Sequence, residues 1–391
     1  MIFTSLSPNL EIDDVLVAVK ALLNPFKYKR GNSLITLEKY FKGNKVYLYD
    51  SGRTSLKIFL NALNLSPGSE VLIQAFTCVA VPGPILASNL TPVYVDIDET
   101  LTMDPSDLKK KITKNSRVLI IQHTFGSLAK TKELIQIAKE NNMFVIEDSA
   151  HALGSNLNSQ ADAIFYSFGR DKPISSVFGS ALVVNNPNIK ITKKLDYPSN
   201  FWIIQQLVHP VITFKIKVLY NFGGRFFFYL VKKTRLLSRS VEADEKQGEE
   251  SRYLGKALPN ALASLAVNQL KKLEKFNAHR TFCANYYDKH LLKGITRQKT
   301  TNSIYLRYWI SDENSDVIYN ECKKRGVLLG SWYNTPIAPE GVNYKKVNYS
   351  RNCLTAERLS KNSLNLPTHI SVKEKHLRKI VKIVNEYSAN K

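Results

Sequence analysis

The sequence predicts an α/β protein: a large domain built on a mostly parallel sheet, followed by a smaller C-terminal α+β domain. Three observations lead there. Short apolar runs such as Val71-Leu72-Ile73, Val118-Leu119-Ile120-Ile121 and Ala163-Ile164-Phe165-Tyr166 recur between polar or Gly residues, as strands buried on both faces do. Stretches with helical spacing, Leu56 to Leu63 and Leu134 to Lys139 among them, alternate with these runs, which implies a parallel sheet covered on both sides. From about residue 277 the rhythm changes to isolated strands and longer amphipathic helices.

Residues 1–48 read as a helical N-terminal arm ending in a strand, Lys45-Val46-Tyr47-Leu48-Tyr49. The polar turn Ser51 to Ser55 then opens a helix. Free N–H groups and the helix dipole make such a turn a ready anion site, although a plain N-cap carries the same residues. Val71-Leu72-Ile73 is the next strand, ended by Phe76-Thr77-Cys78, and Pro92 to Asp96 and Val118 to Gln122 are two more. Met143 to Val183 holds three further runs. The first ends in Glu147-Asp148, the second in Ser167-Phe168, and Lys172 precedes the third. These elements define a large domain over residues 49–196.

Residues 197–250 read as an insertion and loop. Phe201 to Ile212 and Arg225 to Lys233 are strongly apolar, and seven Lys/Arg with no Asp/Glu fall between Tyr197 and Val241. Pro210 and Gly223-Gly224 are expected to break the segment and Lys215 and Lys217 to interrupt it, which argues against a membrane-spanning helix. Apolar bulk mixed with basic charge suits a pair of interfacial helices over 200–240 at the inner face of a membrane. It suits equally a surface packed on the body or on a dimer mate. Residues 251–391 form the C-terminal domain. They hold a helix Ala261 to Phe276 with a Leu/Ala face for core or dimer packing and an alternating strand Ile304 to Ile310. A helix Ser315 to Arg325 follows, capped by Ser315 and stopped by Gly326, and then a closing amphipathic helix Val372 to Tyr387.

Composition narrows the function classes. At 391 residues, 44% hydrophobic and 10% aromatic, the chain has the material for two packed lobes. Cys78, Cys283, Cys322 and Cys353 lie far apart without metal-ligand spacing, so thiols in a reducing compartment and no metal are expected. The N-terminus lacks the pattern of a signal peptide, which points to a cytoplasmic location. The net charge of +22 comes without a nucleic-acid motif. Anionic partners such as sugar nucleotides or an anionic membrane account for it, and no nucleic-acid partner is expected.

Asp148, Ser167 and Lys172 stand at neighbouring strand ends, where open α/β sheets place ligands. Together they suit pyridoxal phosphate (PLP). A lysine amine condenses with the aldehyde, a carboxylate keeps the ring nitrogen protonated, and a hydroxyl serves the phosphate. On spacing alone, Asp148 reads as well as a helix N-cap and Lys172 as a solvated lysine.

Asp148-x-x-His151 followed by Ser167-x-x-x-x-Lys172 resembles the core of the DegT/DnrJ/StrS-type sugar aminotransferases, which are fold-type I PLP enzymes. The resemblance runs nearly end to end. It takes in Ser51-Gly52-Arg53-Thr54-Ser55-Leu56, Thr91 to Asp98, His123-Thr124-Phe125-Gly126, Tyr333-Asn334-Thr335-Pro336 and Leu364-Asn365-Leu366-Pro367. It implies Lys172 as the catalytic lysine and Asp148 at the pyridine nitrogen. It places His151 beside the phenolic oxygen, Ser167, Arg53, Thr54 and Ser55 at the phosphate, and Tyr333 near the substrate. It also implies a homodimer, an activated nucleotide- or lipid-linked keto sugar as acceptor, and an amino acid, glutamate, as donor. The chain departs from the pattern at three places. Cys78 stands where an aromatic usually stacks on the cofactor ring. Val177-Phe178-Gly179-Ser180 replaces a Gly-Glu-Gly-Gly run, and Gly255-Lys256-Ala257 replaces an Asn-Tyr-Arg segment. These departures keep two alternatives open, a PLP-dependent keto-sugar dehydratase and a degenerate homologue with a regulatory or membrane-scaffold role.

Overall fold

A computed structural model describes residues 2–4, 7–41, 43, 45–157, 159–219, 238, 241–251, 254–300 and 302–389. The arm supplies β1 (Ile2–Phe3), α1 (Ile12–Leu22) and α2 (Asn32–Tyr40). The large domain follows with β2 (Lys45–Tyr49), α3 (Gly52–Ala62), β3 (Glu70–Gln74), β4 (Thr77–Cys78), α4 (Pro82–Leu86) and β5 (Thr91–Val95). It continues through α5 (Pro105–Lys111), β6 (Ser116–Gln122), α6 (Thr131–Glu140), β7 (Phe144–Asp148), β8 (Ala163–Ser167) and β9 (Ser180–Val184). The central sheet has seven strands in the order β2-β9-β8-β7-β6-β3-β5. The β5, β3, β6, β7 and β8 strands run parallel, while β9 and β2 are antiparallel to their neighbours. The expected α/β architecture is therefore what the chain adopts.

Each parallel strand is almost entirely apolar because helices cover both faces. Leu72, Leu119, Ile121 and Val145 pack against α5 and α6 on one face. Val71, Ile73, Val118, Ile120 and Ile146 meet α3 and later segments on the other. At the β2–β9 end, Val183 and Ala181 join a separate apolar cluster that takes Ala18 from α1 and Leu37 from α2.

The insertion begins with α7 (Asn200–Leu219), a twenty-residue helix. It runs through Pro210, against the expectation that proline would break it. Pro210 removes one N–H from the helix ladder, but Trp202, Ile203, Leu207, Ile212 and Ile216 are buried along the same helix and hold it to the body. The Gly223-Gly224 pair and the second apolar run, Arg225 to Lys233, lie outside the described residues. Within the expected loop Glu242 to Glu250 a single turn forms, α8 (Ala243–Lys246).

The later chain comprises α9 (Asn260–Leu270), α10 (Leu273–His290), β10 (Thr296–Arg297), β11 (Tyr308–Ser311), α11 (Ser315–Lys324) and β12 (Val327–Leu328). It ends with β13 (Ile337–Ala338), α12 (Leu354–Lys361), β14 (Ser363–Leu366) and α13 (Glu374–Tyr387). Three expected elements change here. The helix read from Ala261 to Phe276 is two helices, divided at Lys271-Lys272, where Lys272 turns to ion-pair with Asp13 and Asp14 of α1 at 2.8 and 3.1 Å. The strand read from Ile304 keeps only its end, β11, because Tyr305 has φ +48° and Ile304 and Leu306 instead bond to the backbone of the Phe125-Gly126 turn. Ser315 is the first helical residue of α11 and Asn314 its cap, while Gly326, at φ +83°, follows the helix end as expected.

Candidate active site

The site is built where β6, β7 and β8 end and α3 begins. Glu147 and Asp148 are consecutive, so the strand's two-residue period sends them to opposite faces. Glu147 goes beneath the sheet to His123. Ala129 N–H donates to His123 Nδ1 at 3.2 Å, so the ring carries its proton on Nε2 and donates to the Glu147 carboxylate at 2.9 Å. Asp148 faces a cavity of about 140 Å³ lined also by Ser51, Gly52, Arg53, Cys78, His151, Ser167, Lys172, Arg307 and Tyr333. Its Oδ1 accepts the Ala150 N–H at 3.0 Å. Burial pushes its carboxyl above the ordinary range, against the pull of that N–H and of the neighbouring Lys172 and His123 side chains.

Lys172 is poised by its hydrogen bonds. The Phe125 N–H donates to His151 Nδ1 at 3.2 Å, so the imidazole carries its proton on Nε2. Nε2 lies 2.8 Å from Lys172 Nζ. The imidazole is then the donor and Nζ the acceptor, which requires an uncharged amine with a free lone pair. Burial lowers the lysine and Arg307 adds to the lowering, while Asp148 opposes it. Burial, with the Arg307 charge beside it, holds His151 well below its usual range, so it stays neutral.

The loop that presents Lys172 is tied from behind. Asn9 Nδ2 donates to the carbonyls of Lys172 and Pro173 at 3.3 and 3.1 Å, and Arg280 Nη2 to that of Pro173 at 2.7 Å. Arg280, 1% exposed, and Asn9 thus act on the lysine through its backbone. Neither stood out in the sequence, because backbone acceptors leave no motif.

At the other end, Ser51 caps α3 by accepting the Thr54 N–H at 3.2 Å. The expected phosphate residues divide here. Arg53 and Ser167 line the cavity, and Ser51 and Gly52, which were not expected there, line it with them. Thr54 and Ser55 do not, because the helix turn carries their side chains inward. The Thr54 hydroxyl donates to Asp50 at 2.6 Å and accepts the Gly255 N–H at 3.1 Å, and Ser55 pairs with Ser180 at 2.7 Å. Arg53 ion-pairs with Glu245 of α8. Gly255 and Lys256 are held to the Asp50–Thr54 turn by backbone bonds, and Lys256 is not among the cavity residues. Cys78 lines the wall with its thiol pushed up by burial, hence protonated. Aromatic area comes from Phe125, which stacks on His151 at 5.8 Å and on Tyr333 at 5.3 Å.

Arg170, Asp171, Arg307 and Trp332 also line the cavity and were missed. Arg170 and Asp171 sit inside the Ser167–Lys172 interval, so the signal was adjacent. Arg307 was hidden within an apparently regular strand.

The donor set fits PLP: a lysine and a buried carboxylate in one cavity wall, with the N-terminus of an eleven-residue helix beside them. A Cβ at Gly52 would meet the Phe165 ring at 3.1 Å, a tight contact that glycine relieves in the cradle beneath that N-terminus.

Matches to known proteins agree with this geometry. The family model of the DegT/DnrJ/EryC1/StrS aminotransferase family matches residues 14–218 and 229–385. The chain belongs to that family. It is accordingly a PLP-dependent aminotransferase. The chain is 23% identical over 379 residues to the GDP-perosamine synthase of Escherichia coli O157:H7, covering 93% of this chain and 92% of that protein. It is 31% identical over 222 residues to the 3-oxo-glucose-6-phosphate:glutamate aminotransferase of Bacillus subtilis, covering 55% and 48%. Its fold matches S. venezuelae DesV with a TM-score of 0.73 at 19% identity, over 97% of this chain and 95% of that one. Helicobacter pylori PseC, an aminotransferase in pseudoaminic acid biosynthesis, gives 0.72 at 19% identity over 97% of each chain. Among the described residues no helix is long and apolar enough to cross a membrane.

Proposed function

We propose that this chain transfers an amino group from glutamate to the keto carbon of an activated sugar. The observation that carries the reading is the Lys172–His151 hydrogen bond, which leaves an uncharged lysine nitrogen in one small cavity with a buried carboxylate. The relatives' names, a GDP-perosamine synthase and a glutamate-using sugar-phosphate aminotransferase, support the two substrates.

When bound, PLP supplies an electron sink that makes the bond to the α-hydrogen of an amine labile. The protein does the rest. Asp148 would hold a proton at the pyridine nitrogen; Ser51, Gly52, Arg53 and Ser167 would hold the phosphate. Lys172 Nζ, kept basic and unprotonated, would move the proton between donor and cofactor carbons. His151 would orient that amine and, once the amine is engaged, offer its Nε2–H to an oxygen in the same place. Cys78 would meet the ring with a small thiol in place of a stacking aromatic, and Tyr333 would meet the substrate. The lysine is present, which favours aminotransfer over the dehydratase and scaffold alternatives.

The test is the visible absorption of the purified protein with PLP, before and after borohydride. A band that glutamate bleaches, absent from Lys172→Ala, is expected; no band in the wild type at saturating PLP would refute the reading.

We further propose a cytoplasmic homodimer. Phe201, Val218 and Leu219 of α7 are exposed apolar residues next to the body, and sedimentation at micromolar concentration tests whether a second copy covers them. Peripheral contact of the 200–240 segment with the inner face of a membrane is the proposal for a monomeric outcome. It predicts co-sedimentation with anionic liposomes that a 200–240 deletion loses.

A further inference from the structure

The cavity holds a cation to which the cofactor reading gives no task. Arg307 is 6% exposed and lines the cavity. Its Nη1 donates to Asn365 Oδ1 at 3.3 Å, and its guanidinium carbon lies 5.5 Å from the centre of the Trp332 ring. Its Nη2 is 4.0 Å from Asp171 Oδ2, too far for a hydrogen bond. The second oxygen of Asp171, Oδ1, is buried with no hydrogen-bond partner among the described residues. A buried guanidinium and a half-buried carboxylate, with one oxygen out of reach of water, thus face each other without the paired bonds that normally join them.

We infer that Arg307 receives the α-carboxylate of the amino donor, and that Asp171 is the counter-ion that neutralises Arg307 when a keto sugar occupies the same place. The inference rests on the aminotransferase reading and adds to it the residue that recognises the donor. Position supports it. An α-amino acid carries its nitrogen and carboxylate on one carbon, so the receptor must stand close to where the nitrogen reacts. Lys172 marks that place, and the Arg307 charge acts directly on Lys172, His151 and Tyr333. The other two cavity arginines are committed elsewhere. Arg53 pairs with Glu245 at the α3 end, and Arg170 donates to Ser238 at 2.5 Å and lies over the Phe178 ring.

The pairing with Asp171 answers the central demand on such a site, which must take an anionic amino acid and an uncharged sugar carbon in turn. A guanidinium left alone in the cavity would oppose the sugar, because an unpaired buried charge is destabilising. A tight bidentate bridge to Asp171 would instead exclude the donor. The loose 4.0 Å contact lies between these extremes.

The experiment titrates full-length, PLP-loaded protein with three probes. Glutamate is followed by bleaching of the visible band; glutarate, a dicarboxylate without an amine, and UDP are followed by calorimetry. Arg307→Gln is expected to weaken glutamate and glutarate by roughly 10- to 100-fold, the loss of one charge-assisted pair, and to leave UDP unchanged. Asp171→Asn is expected to tighten glutarate several-fold by releasing Arg307, a gain that misfolding cannot produce. Unchanged glutamate and glutarate affinity in Arg307→Gln would overturn the inference. So would a loss confined to UDP, which would assign Arg307 to the acceptor's phosphates. A wild type that binds glutarate through Arg307 yet never bleaches with glutamate would sustain the carboxylate site and refute aminotransfer.

Discussion

Asp50 gives a stability prediction that can be worked through. Its side chain is fully buried immediately before the Ser51–Arg53 cradle, and burial pushes its carboxyl up from 3.8 to about 6. Hydrogen bonds from Thr54, the Lys256 N–H and Ser51, and the Arg53 charge, oppose the rise without cancelling it. A carboxyl whose folded value is raised binds its proton more tightly in the native state, so stability falls as pH climbs from the unfolded to the folded value. At about pH 4 and below the native state is favoured; above about pH 6 both states are ionised and the full penalty applies. The gap corresponds to about 3 kcal/mol. Asp50→Asn removes the titration. It also sets an amide against either the Lys256 N–H or the Thr54 hydroxyl, at a loss of about 1–3 kcal/mol that does not vary with pH. Urea denaturation from pH 4 to 7 should therefore show the wild type losing about 2 kcal/mol relative to Asp50→Asn, since part of the penalty already applies at pH 4. Other carboxyls, Asp148 included, contribute equally to both proteins and cancel. Parallel stability curves would refute the claim that Asp50 is buried and ionisable at this turn.

Three further predictions test the framework of the site. Gly126 has φ +93°, and a Cβ there would sit 2.6 Å from Ile304 and 3.2 Å from the His151 carbonyl. Gly126→Ala should destabilise by about 2–4 kcal/mol in thermal or urea unfolding, from left-handed strain together with overpacking. Ser180 donates to the Ser51 carbonyl at 2.7 Å, so Ser180→Ala should reduce stability by about 1 kcal/mol and weaken PLP binding measured by fluorescence quenching. Because Arg307 lowers the Lys172 amine, Arg307→Met should move the pH midpoint for acylation of Lys172, followed by peptide mass spectrometry, to higher pH.

By itself the sequence determined the sheet and the chemistry at its strand ends. Runs such as Ile120-Ile121 and Phe165-Tyr166 can be buried only by pairing with similar runs, and Asp148, Ser167 and Lys172 follow those runs at fixed distances. Local rules end where contacts come from far along the chain. Packing of α7 against the body carried a helix through Pro210, and an ion pair to α1 divided α9 from α10. Asp50 drew the Thr54 hydroxyl away from the cavity, and Ser180 did the same for Ser55. The Phe125-Gly126 turn captured Ile304 and Leu306, turning a sequence-level strand into an irregular segment that delivers Arg307 to the cavity. Only the tertiary structure decided these points, because burial and partner geometry set by residues tens to hundreds of positions away outweigh the local propensities that a sequence displays.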